Sequence, residues 1–594
     1  MLDLKTLIRV PYVEPFTGYS LSADGSVIAY SWNQSGQWEL YIRSFNETAS
    51  MRQITSGPGA KLSPHWSPDG SRLAYLVDSD GSERYDLYVY DLEIGEHTNL
   101  TPDSAYSLQP SLSWSPDGEW IAMISDQSGT FDTYIMPARS GPVRRILAQP
   151  YHDWEVRWSP DGQWLLVVAE TRGQDYWTFI TPAGSGDTRI ISNGDGPICA
   201  KDSRWSPDSQ QVAFSCDLSG QFEIGVYDLA STEIHWITTG QGEKEHPEWS
   251  PDGQRIGFLV SQGPKNRVAV CELEDQIVSV YAAETGIHHQ PRFLPDSVSL
   301  TLIFENPSHP PDLWRLSTQE GEFQQLTRSL PADLSPAGFS MPSEIHYPSL
   351  DGTPVPALLY PVKQDGLPPA VLYVHGGPNW LTQIVWDPVV QHMVSRGWLV
   401  LAPNYRGSTG YGRAWQLANR YDLGGVDTRD VAAGADYLVR ERLADAKRVA
   451  VTGRSWGGYL TMTCLTQYPE KWVAGSAVVP FLNWFTGHAN SRADLQHWDR
   501  ENFGDPQENY ELWHERSPYF FLDNIRTAVQ LICGAHDPRC PASESIQANE
   551  ELLKLGIESD FVLYADEGHQ FLNTENLLDA EQRRAEFLAK YISQ

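Results

Sequence analysis

A short motif close to Trp-Ser-Pro-Asp-Gly recurs seven times in the first half of this 594-residue chain, each time followed by an apolar run. Pro presets φ, Asp bonds to its own backbone and Gly accepts positive φ, so each motif predicts a turn before a buried strand. A period of 44–48 residues that holds several short strands is typical of a propeller blade. Seven copies therefore predict a seven-bladed β-propeller. The aspartates of the motif are Asp24, Asp69, Asp117, Asp161, Asp208, Asp252 and Asp296.

Five of the seven copies begin with tryptophan, whereas the first and last copies lack it. Terminal repeats often deviate in this way. Because these tryptophans recur in step with the repeat, we interpret them as blade packing and not as an aromatic cage for a ligand. They are Trp66, Trp114, Trp158, Trp205 and Trp249.

The second half of the chain has a different pattern. A stretch rich in Ser and Pro predicts a linker, and a hairpin with Asp-Gly at its turn follows it. Apolar strand-like runs then alternate with helical stretches, such as Asp427 to Leu443 and Ser543 to Leu555. This alternation predicts a doubly wound, mostly parallel sheet covered on both faces. We expect two domains, a propeller with a short N-terminal extension at residues 1–335 and an α/β domain at residues 336–594.

The chain is strongly acidic, with 76 Asp and Glu against 43 Lys and Arg and a formal net charge of −33. Such a surface repels phosphate backbones and anionic membranes, so we expect neither a nucleic acid nor a membrane partner. The N-terminus lacks the apolar region of a secretory signal, and no stretch approaches the ~20 apolar residues of a membrane span. We expect a cytoplasmic protein. The sequence leaves the oligomeric state open, with a homo-oligomer as one option.

The six cysteines are widely spaced and form neither a CxxC pair nor a metal-ligand spacing with histidine. We therefore expect reduced thiols, no metal and no cofactor. Cys199 and Cys216 fall within one predicted blade, so a contact between them is left open.

The segment Gly-Arg-Ser-Trp-Gly follows an apolar strand and precedes a helical stretch. This is the G-x-S-x-G pattern of a nucleophile elbow, the strand-to-helix turn of α/β-hydrolases. Gly453 and Gly457 allow the close approach of strand and helix. Ser455 is therefore predicted to be the nucleophile; a Gly-rich structural turn is the alternative.

A serine hydroxyl needs a base to take its proton, and the base must be oriented by an acid. α/β-Hydrolases carry these residues in the order Ser, acid, His. Asp537 and His569 each follow an apolar strand in that order, where the carboxyl ends of parallel strands meet. Ser455, Asp537 and His569 are the predicted triad. His536, next to Asp537 in the sequence, is a rival base, and Asp566, close to His569, is a rival acid.

The oxyanion formed in acyl transfer needs preorganised donors. One should be the backbone N–H of Trp456, the residue after the nucleophile. The other should come from the His-Gly-Gly-Pro segment after an early strand, where Gly376 and Gly377 allow bare backbone to approach a substrate. We expect Gly377 to be this donor, and a simple turn is the alternative.

On these motifs the chain resembles the prolyl oligopeptidase family of serine peptidases, and within it the acylaminoacyl peptidase and oligopeptidase branch. The resemblance extends over the propeller and the α/β-hydrolase domain. Its motifs are HGGP at His375, PNYRGSTGYG at Pro403, GRSWGG at Gly453, FGDP at Phe503, SPYFF at Ser517, DPRCP at Asp537 and EGHQF at Glu567.

The resemblance implies further substrate-binding residues. Arg539 would bind a substrate carbonyl, with a structural ion pair as the alternative. Phe481, Trp484 and Phe485 would form an apolar pocket, with a role in the core as the alternative. The family usually has Tyr after the nucleophile, and Trp456 in its place alters the shape of the pocket.

The resemblance also implies peptidase activity on short or N-acylated peptides, with the propeller limiting substrate size. The alternatives are an esterase or amidase that uses the same triad, a dipeptidyl peptidase, and a non-catalytic scaffold. The dipeptidyl activity needs paired glutamates that anchor a free amino terminus. Glu243, Glu245 and Glu248 cluster in the propeller. We interpret them as a solvated charge run on a blade loop.

Overall fold

The computed structural model describes residues 1–45, 51–102 and 104–593. The chain divides into two compact units. One comprises Pro11–Ser79 and Glu83–Pro331, and the other comprises Met1–Val10, Asp80–Ser82 and Ala332–Gln594. The division falls after residue 331, against the expected 335, and the N-terminal segment groups with the second unit.

The first unit is the seven-bladed β-propeller that the repeat predicts. Each blade is an antiparallel sheet of four consecutive strands. In chain order the strands are β1 Tyr19–Leu21, β2 Val27–Trp32, β3 Glu39–Ser44, β4 Met51–Gln53, β5 Ala60–Trp66, β6 Arg72–Asp78, β7 Tyr85–Asp91, β8 Glu96–Asn99, β9 Leu108–Trp114, β10 Trp120–Ser125, β11 Asp132–Pro137, β12 Arg144–Arg145, β13 His152–Trp158, β14 Trp164–Glu170, β15 Tyr176–Pro182, β16 Arg189–Ile190, β17 Lys201–Trp205, β18 Gln211–Cys216, β19 Glu223–Asp228, β20 Ile234–Trp236, β21 Glu243–Trp249, β22 Arg255–Gln262, β23 Lys265–Glu272, β24 Val278–Tyr281, β25 Ile287–Phe293, β26 Ser299–Asn306, β27 His309–Ser317 and β28 Glu322–Gln325.

The repeated motif forms the turn between the first two strands of a blade, as blade 2 illustrates. The Ser67 hydroxyl donates to Asp69 Oδ1 at 2.6 Å, and the same oxygen accepts the Ser71 N–H at 3.1 Å. Gly70 takes φ +69 at this turn. The hydrogen bond from Ser67 lowers the pKa of Asp69 to about 2. The motif therefore encodes a local turn whose polar groups satisfy one another.

The motif tryptophans link neighbouring blades. Trp114 Nε1 donates to the His65 carbonyl at 2.9 Å, and the Arg72 guanidinium lies 5.0 Å from the centre of the Trp114 ring. Trp249 Nε1 likewise donates to the Arg204 carbonyl, at 3.3 Å. These contacts reach the preceding blade, so the tryptophans pack between blades.

Among the residues that the structure describes, the first and last blades exchange no strand. They meet through side chains and through the segment before β1, where the Val13 N–H donates to the Pro311 carbonyl at 2.9 Å. The Tyr19 hydroxyl, on β1, lies 2.6 Å from the Gln290 carbonyl and 2.9 Å from the Thr301 carbonyl, both in blade 7. Val13, Ile28 and Ile303 belong to one buried apolar cluster that spans the junction. The ring is therefore closed by packing and hydrogen bonds.

The glutamates of blade 6 differ from our interpretation. Glu243, Glu245 and Glu248 lie on β21, a strand, and not on a loop. Glu245 pairs with Lys201 at 2.7 Å, and Glu248 pairs with Arg292 at 2.6 Å. A register shift between Glu245 and Glu248 in the pairing of β21 with β22 breaks the two-residue alternation of the strand, and each carboxylate meets a cation of a neighbouring blade. The segment is an ion-paired inner strand, and the prediction of a solvated charge run is wrong.

The second unit is built on an eight-stranded sheet of order β29-β30-β32-β31-β33-β34-β35-β36. β29 and β30 form an antiparallel hairpin, β30 runs antiparallel to β32, and the remaining pairs are parallel. The strands are β29 Ser343–Pro348, β30 Pro354–Tyr360, β31 Ala370–Val374, β32 Leu399–Pro403, β33 Val449–Arg454, β34 Ala474–Val478, β35 Ala528–Gly534 and β36 Ser559–Tyr564. This is the expected α/β-hydrolase fold.

The helices of this unit cover both faces of the sheet. They are α1 Leu4–Ile8, α2 Pro388–Ser395, α3 Arg413–Gln416, α4 Val426–Arg440, α5 Trp456–Gln467, α6 Trp484–Asn490, α7 Ala493–Phe503, α8 Tyr510–Glu515, α9 Ala542–Lys554 and α10 Thr574–Ile592, with 3-10 turns at Pro336–Gly338, Pro469–Lys471 and Pro518–Asn524. α4 and α5 pack in one apolar core, whereas α1, α2 and α10 pack in the other. Parallel strands buried on both sides explain their near-continuous apolar sequences.

The six cysteines, Cys199 and Cys216 among them, form no disulfide in the part of the chain that the structure describes. Within the same residues, no group of three or more His, Cys, Asp or Glu side chains is arranged to hold a metal ion. No helix among them is both long and apolar enough to span a bilayer.

Candidate active site

Ser455 lies in the sharp turn between β33 and α5, at φ 57 and ψ −121. A Cβ at Gly453 would lie 2.5 Å from the backbone of Gly457, and a Cβ at Gly457 would lie 2.1 Å from the Val374 carbonyl oxygen. Both positions therefore require glycine, because strand and helix approach too closely for a side chain. This geometry places Ser455 at the carboxyl edge of the parallel strands.

The structure brings the three predicted triad side chains together. His569 Nε2 lies 3.0 Å from Ser455 Oγ. His569 Nδ1 lies 2.8 Å and 3.0 Å from the two carboxylate oxygens of Asp537. The carboxylate accepts from Nδ1–H, which leaves Nε2 of the neutral imidazole to accept the serine proton. The arrangement can activate Ser455 for attack on a carbonyl.

Backbone hydrogen bonds fix the acid of this relay. Asp537 follows β35, and its Oδ1 accepts the N–H groups of Arg539 at 2.9 Å and Cys540 at 2.8 Å. The Asp537 side chain has no exposed surface, and the His569 side chain is 4% exposed. A buried carboxylate with these donors keeps its orientation and can stabilise an imidazolium.

Two residues to which the sequence analysis assigned no role hold the loop of His569. Arg454, the residue before the nucleophile, donates through Nη2 to the His569 carbonyl, and its guanidinium lies 5.1 Å from the centre of the Phe571 ring. The buried Glu567 carboxylate accepts the Leu572 N–H at 2.8 Å, and burial raises the pKa of this carboxyl. Arg454 occupies a variable position of the elbow pattern, and so it carries no sequence signal for this role.

The rival residues do not join the relay. Asp566 is exposed and accepts from Asn576 Nδ2 at 3.1 Å. The His536 side chain is 39% exposed, and no hydrogen bond to Ser455 or Asp537 is found for it among the described residues.

The expected oxyanion donors lie beside Ser455. Trp456 is the first residue of α5, so its N–H has no acceptor within the helix. Gly377, in the loop after β31, lines the same cavity as Ser455 and Trp456. His375 anchors this loop, because its Nε2 lies 2.9 Å from Ser408 Oγ.

A cavity opens beside Ser455. Phe481 and Trp484 line it as expected, and so does Arg539. Phe485 does not line it: its ring packs at 5.1 Å from Tyr510 and 5.8 Å from Trp513, because α6 turns that side chain to its opposite face. The lining residues are Gly377, Ser455, Trp456, Phe481, Trp484, Gly487, His488, Ser491, Leu495, Trp498, Asp499, Arg539 and Cys540.

Besides Trp484, four side chains of α6 and α7 line the cavity without a functional signal in the sequence. They are His488, Leu495, Trp498 and Asp499. The Trp456 ring packs against three other aromatic rings. The distances between ring centres are 5.8 Å to Phe481, 5.9 Å to Trp484 and 6.2 Å to Trp498. Trp456 thus contributes its backbone to one side of the site and its indole ring to an aromatic wall.

Comparison with known proteins identifies both parts of the chain. Residues 386–594 match the prolyl oligopeptidase family, and residues 8–197 match the TolB β-propeller domain. The sequence is 31% identical over 253 residues to dipeptidyl peptidase family member 6 of Caenorhabditis elegans, covering 41% of this chain and 34% of the relative. It is 27% identical over 232 residues to acylamino-acid-releasing enzyme 1 of Oryza sativa subsp. japonica, covering 37% of this chain and 30% of the relative.

The fold has counterparts among solved structures. A crystal structure of puromycin hydrolase superposes with a TM-score of 0.87 over 99% of this chain and 96% of that one, at 20% identity. At this identity the likeness shows the fold. The alignments with the two curated relatives span about a third of the length of each. After its seven-bladed β-propeller, this chain carries an α/β-hydrolase domain whose residues 386–594 match the prolyl oligopeptidase family.

Proposed function

We propose that this protein is a serine peptidase that hydrolyses short or N-acylated peptides through an acyl-enzyme intermediate. The observation that carries the proposal is the continuous hydrogen-bond chain from Asp537 through His569 to Ser455, with links of 2.8 Å and 3.0 Å. Asp537 and His569 are buried at the carboxyl edge of the parallel strands, whereas Ser455 is partly exposed to the cavity. The same geometry supports acyl transfer in general, and the family match supports peptides as substrates.

The chemistry follows from the positions of these groups. Ser455 Oγ attacks the substrate carbonyl while His569 Nε2 takes its proton, and Asp537 stabilises the imidazolium that forms. The N–H groups of Trp456 and Gly377 would hold the oxyanion. The tetrahedral intermediate expels the amine, which takes the proton back from Nε2. Water activated by the same imidazole then hydrolyses the acyl-enzyme ester.

The relatives support two modes of peptide cleavage. Their names include an acylamino-acid-releasing enzyme and a dipeptidyl peptidase. We favour the acyl mode, because the glutamates of β21 are already engaged: Glu245 pairs with Lys201, and Glu248 pairs with Arg292. Comparing kcat/KM for an N-acetylated peptide and the same peptide with a free amino terminus distinguishes the two modes.

The nucleophile is tested by covalent labelling with a fluorophosphonate and by amide hydrolysis. We expect Ser455→Ala to lose labelling and to lose about 10³-fold or more in kcat, because the triad acts as a unit. Ser231→Ala, the same change at an exposed propeller position, should behave as wild type. Near-full activity of Ser455→Ala would exclude this mechanism. Turnover of matched esters without any amide turnover would indicate an esterase instead.

A further inference from the structure

The cavity beside Ser455 has an aromatic wall with one polar pair set into it. His488 Nδ1 lies 2.9 Å from Asp499 Oδ2, and both residues line the cavity. Their side chains are only 11% and 14% exposed. Polar side chains so buried next to tryptophan rings are costly unless they have a partner. Such a pair at the wall of a cavity is therefore a candidate for recognising a ligand.

Counting donors and acceptors shows what the pair lacks. In the tautomer that carries hydrogen on Nδ1, the imidazole donates to Asp499 Oδ2 and its Nε2 is an acceptor. Asp499 Oδ1 is a second acceptor. Among the described residues neither atom has a hydrogen-bond partner. The pair therefore offers acceptors to the cavity and calls for a ligand that donates.

The electrostatics point to a cation. Burial raises the pKa of Asp499, which means that its charge is poorly solvated, and Asp494 adds to this effect. The hydrogen bond from His488 and the charge of Arg500 oppose it. Arg539 also lines the cavity, but it is not among the charges that act most strongly on Asp499. A cationic group brought into the cavity would stabilise the carboxylate.

The walls suit the rest of such a ligand. Trp456, Phe481, Trp484 and Trp498 line the cavity with aromatic rings, and Leu495 adds an aliphatic side chain. Ring faces pack against the methylene stem of a long side chain and attract a cation through their quadrupole. This combination fits lysine and arginine side chains.

We propose that this cavity binds the side chain of the residue whose carbonyl is attacked by Ser455, and that the Asp499–His488 pair selects a basic side chain there. The proposal rests on the proposed function. It identifies the substrate class as peptides or acyl-amino acids with arginine or lysine at the acyl side of the cleaved bond. Asp499 is then a specificity-determining residue that touches no reacting atom.

The test uses the full chain and acetyl-X fluorogenic amides in which X is arginine, citrulline, lysine, norleucine or phenylalanine. Citrulline matches the shape of arginine without its charge. We expect kcat/KM to favour arginine over citrulline and lysine over norleucine by about tenfold or more, because charge-assisted hydrogen bonds discriminate strongly in a buried site. Equal rates for arginine and citrulline, or a preference for phenylalanine, would overturn the proposal.

Variants locate the selectivity. Asp499→Asn should bring the arginine/citrulline ratio close to unity, and Asp499→Leu should reverse the lysine/norleucine preference. Glu501→Gln removes the same charge from the same helix, at a side chain that is 36% exposed and does not line the cavity, and should keep the wild-type ratio. A drop in all substrates alike in Asp499→Asn, with ratios unchanged, would show a structural role only.

Fluorophosphonate labelling separates this proposal from the one on which it rests. Labelling of Asp499→Asn at the wild-type rate shows that its triad is assembled. If wild type is labelled but shows no charge preference, the specificity proposal fails and the proposed function stands. If Ser455 is not labelled at all, both fail.

Discussion

At the scale of single residues, the reacting serine is held in a backbone conformation that non-glycine residues rarely adopt. Ser455 has φ 57 and ψ −121, and such a conformation costs on the order of 1–3 kcal/mol. Two backbone hydrogen bonds of 2.9 Å hold this conformation. The Ser455 N–H donates to the Val478 carbonyl, and the Tyr459 N–H donates to the Ser455 carbonyl. The surrounding strand and helix therefore determine where the hydroxyl points.

Arg454 is a positioning residue for the imidazole, because it donates to the His569 carbonyl. Burial lowers its pKa from the ordinary value, and the nearby Glu581 carboxylate opposes this. We expect Arg454→Met to lower kcat about 10–100-fold with little change in KM, since small displacements of a catalytic group cost this much. Steady-state kinetics and the fluorophosphonate labelling rate measure the effect.

Arg454→Lys should recover part of the loss, because lysine also donates. Arg583→Met, which removes a half-exposed arginine of α10 that pairs with Asp579, is the matched control and should keep wild-type kinetics. A lower melting temperature of Arg454→Met with unchanged kcat would show that Arg454 only stabilises the fold.

At the scale of elements, the propeller buries carboxyl groups between its strands. Asp153 on β13 accepts from Thr133 Oγ1, on β11, at 2.7 Å and from Gln149 Nε2 at 2.6 Å. These donors are neutral, and Asp132 is a nearby carboxylate. Burial, opposed by the two hydrogen bonds and supported by Asp132, raises the pKa of Asp153 to about 7. Burial therefore favours the protonated carboxyl at this contact between blades 3 and 4.

The folded-state pKa of Asp153 lies above the unfolded value of 3.8. The contribution of this carboxyl to the free energy of unfolding is therefore fully present below pH 3.8 and is lost as the pH rises through about 7. Asn mimics the neutral acid. We expect Asp153→Asn, relative to wild type, to be more stable at pH 8 than at pH 5 by about 1–3 kcal/mol. Urea unfolding at the two pH values measures this. The exposed Asp195→Asn should show no such difference, and an equal effect of Asp153→Asn at both pH values would contradict the assignment.

The helices after β34 show how an element can carry function without a local signal. α6 and α7 bring Trp484, His488, Trp498 and Asp499 to one cavity. The segment around Phe481 predicted aromatic pocket residues, but α6 places Phe485 against α8 instead. Which face of a short helix meets the cavity depends on its packing partners and not on its composition.

At the scale of the whole molecule, the chain combines two independently packed units, each with its own apolar clusters. The propeller closes by packing of blade 1 on blade 7 through Tyr19 and its neighbours. The net charge of the whole chain is −33, and an acidic surface of this kind attracts cations, in keeping with the basic side chain proposed for the cavity.

That the propeller limits substrate size stays a prediction. We expect a short acyl-peptide to be cleaved with a much higher kcat/KM than the same sequence inside a long unfolded protein, because a concave site admits few residues at once. Mass spectrometry of the two digests, at matched concentration, measures this. Comparable cleavage of both substrates would contradict the prediction.

The sequence by itself determined the features that depend on neighbours along the chain. The turn at Asp69 and Gly70, the strands that follow each such turn, and the elbow at Ser455 all arise from residues within a few positions of one another. The triad of Ser455, Asp537 and His569 could also be predicted, because each residue follows a strand of a parallel sheet. Only the tertiary structure decided the contacts of Arg454 and the meeting of Asp499 with the aromatic wall. Those contacts join side chains through packing, and packing depends on shape and distance that no local pattern encodes.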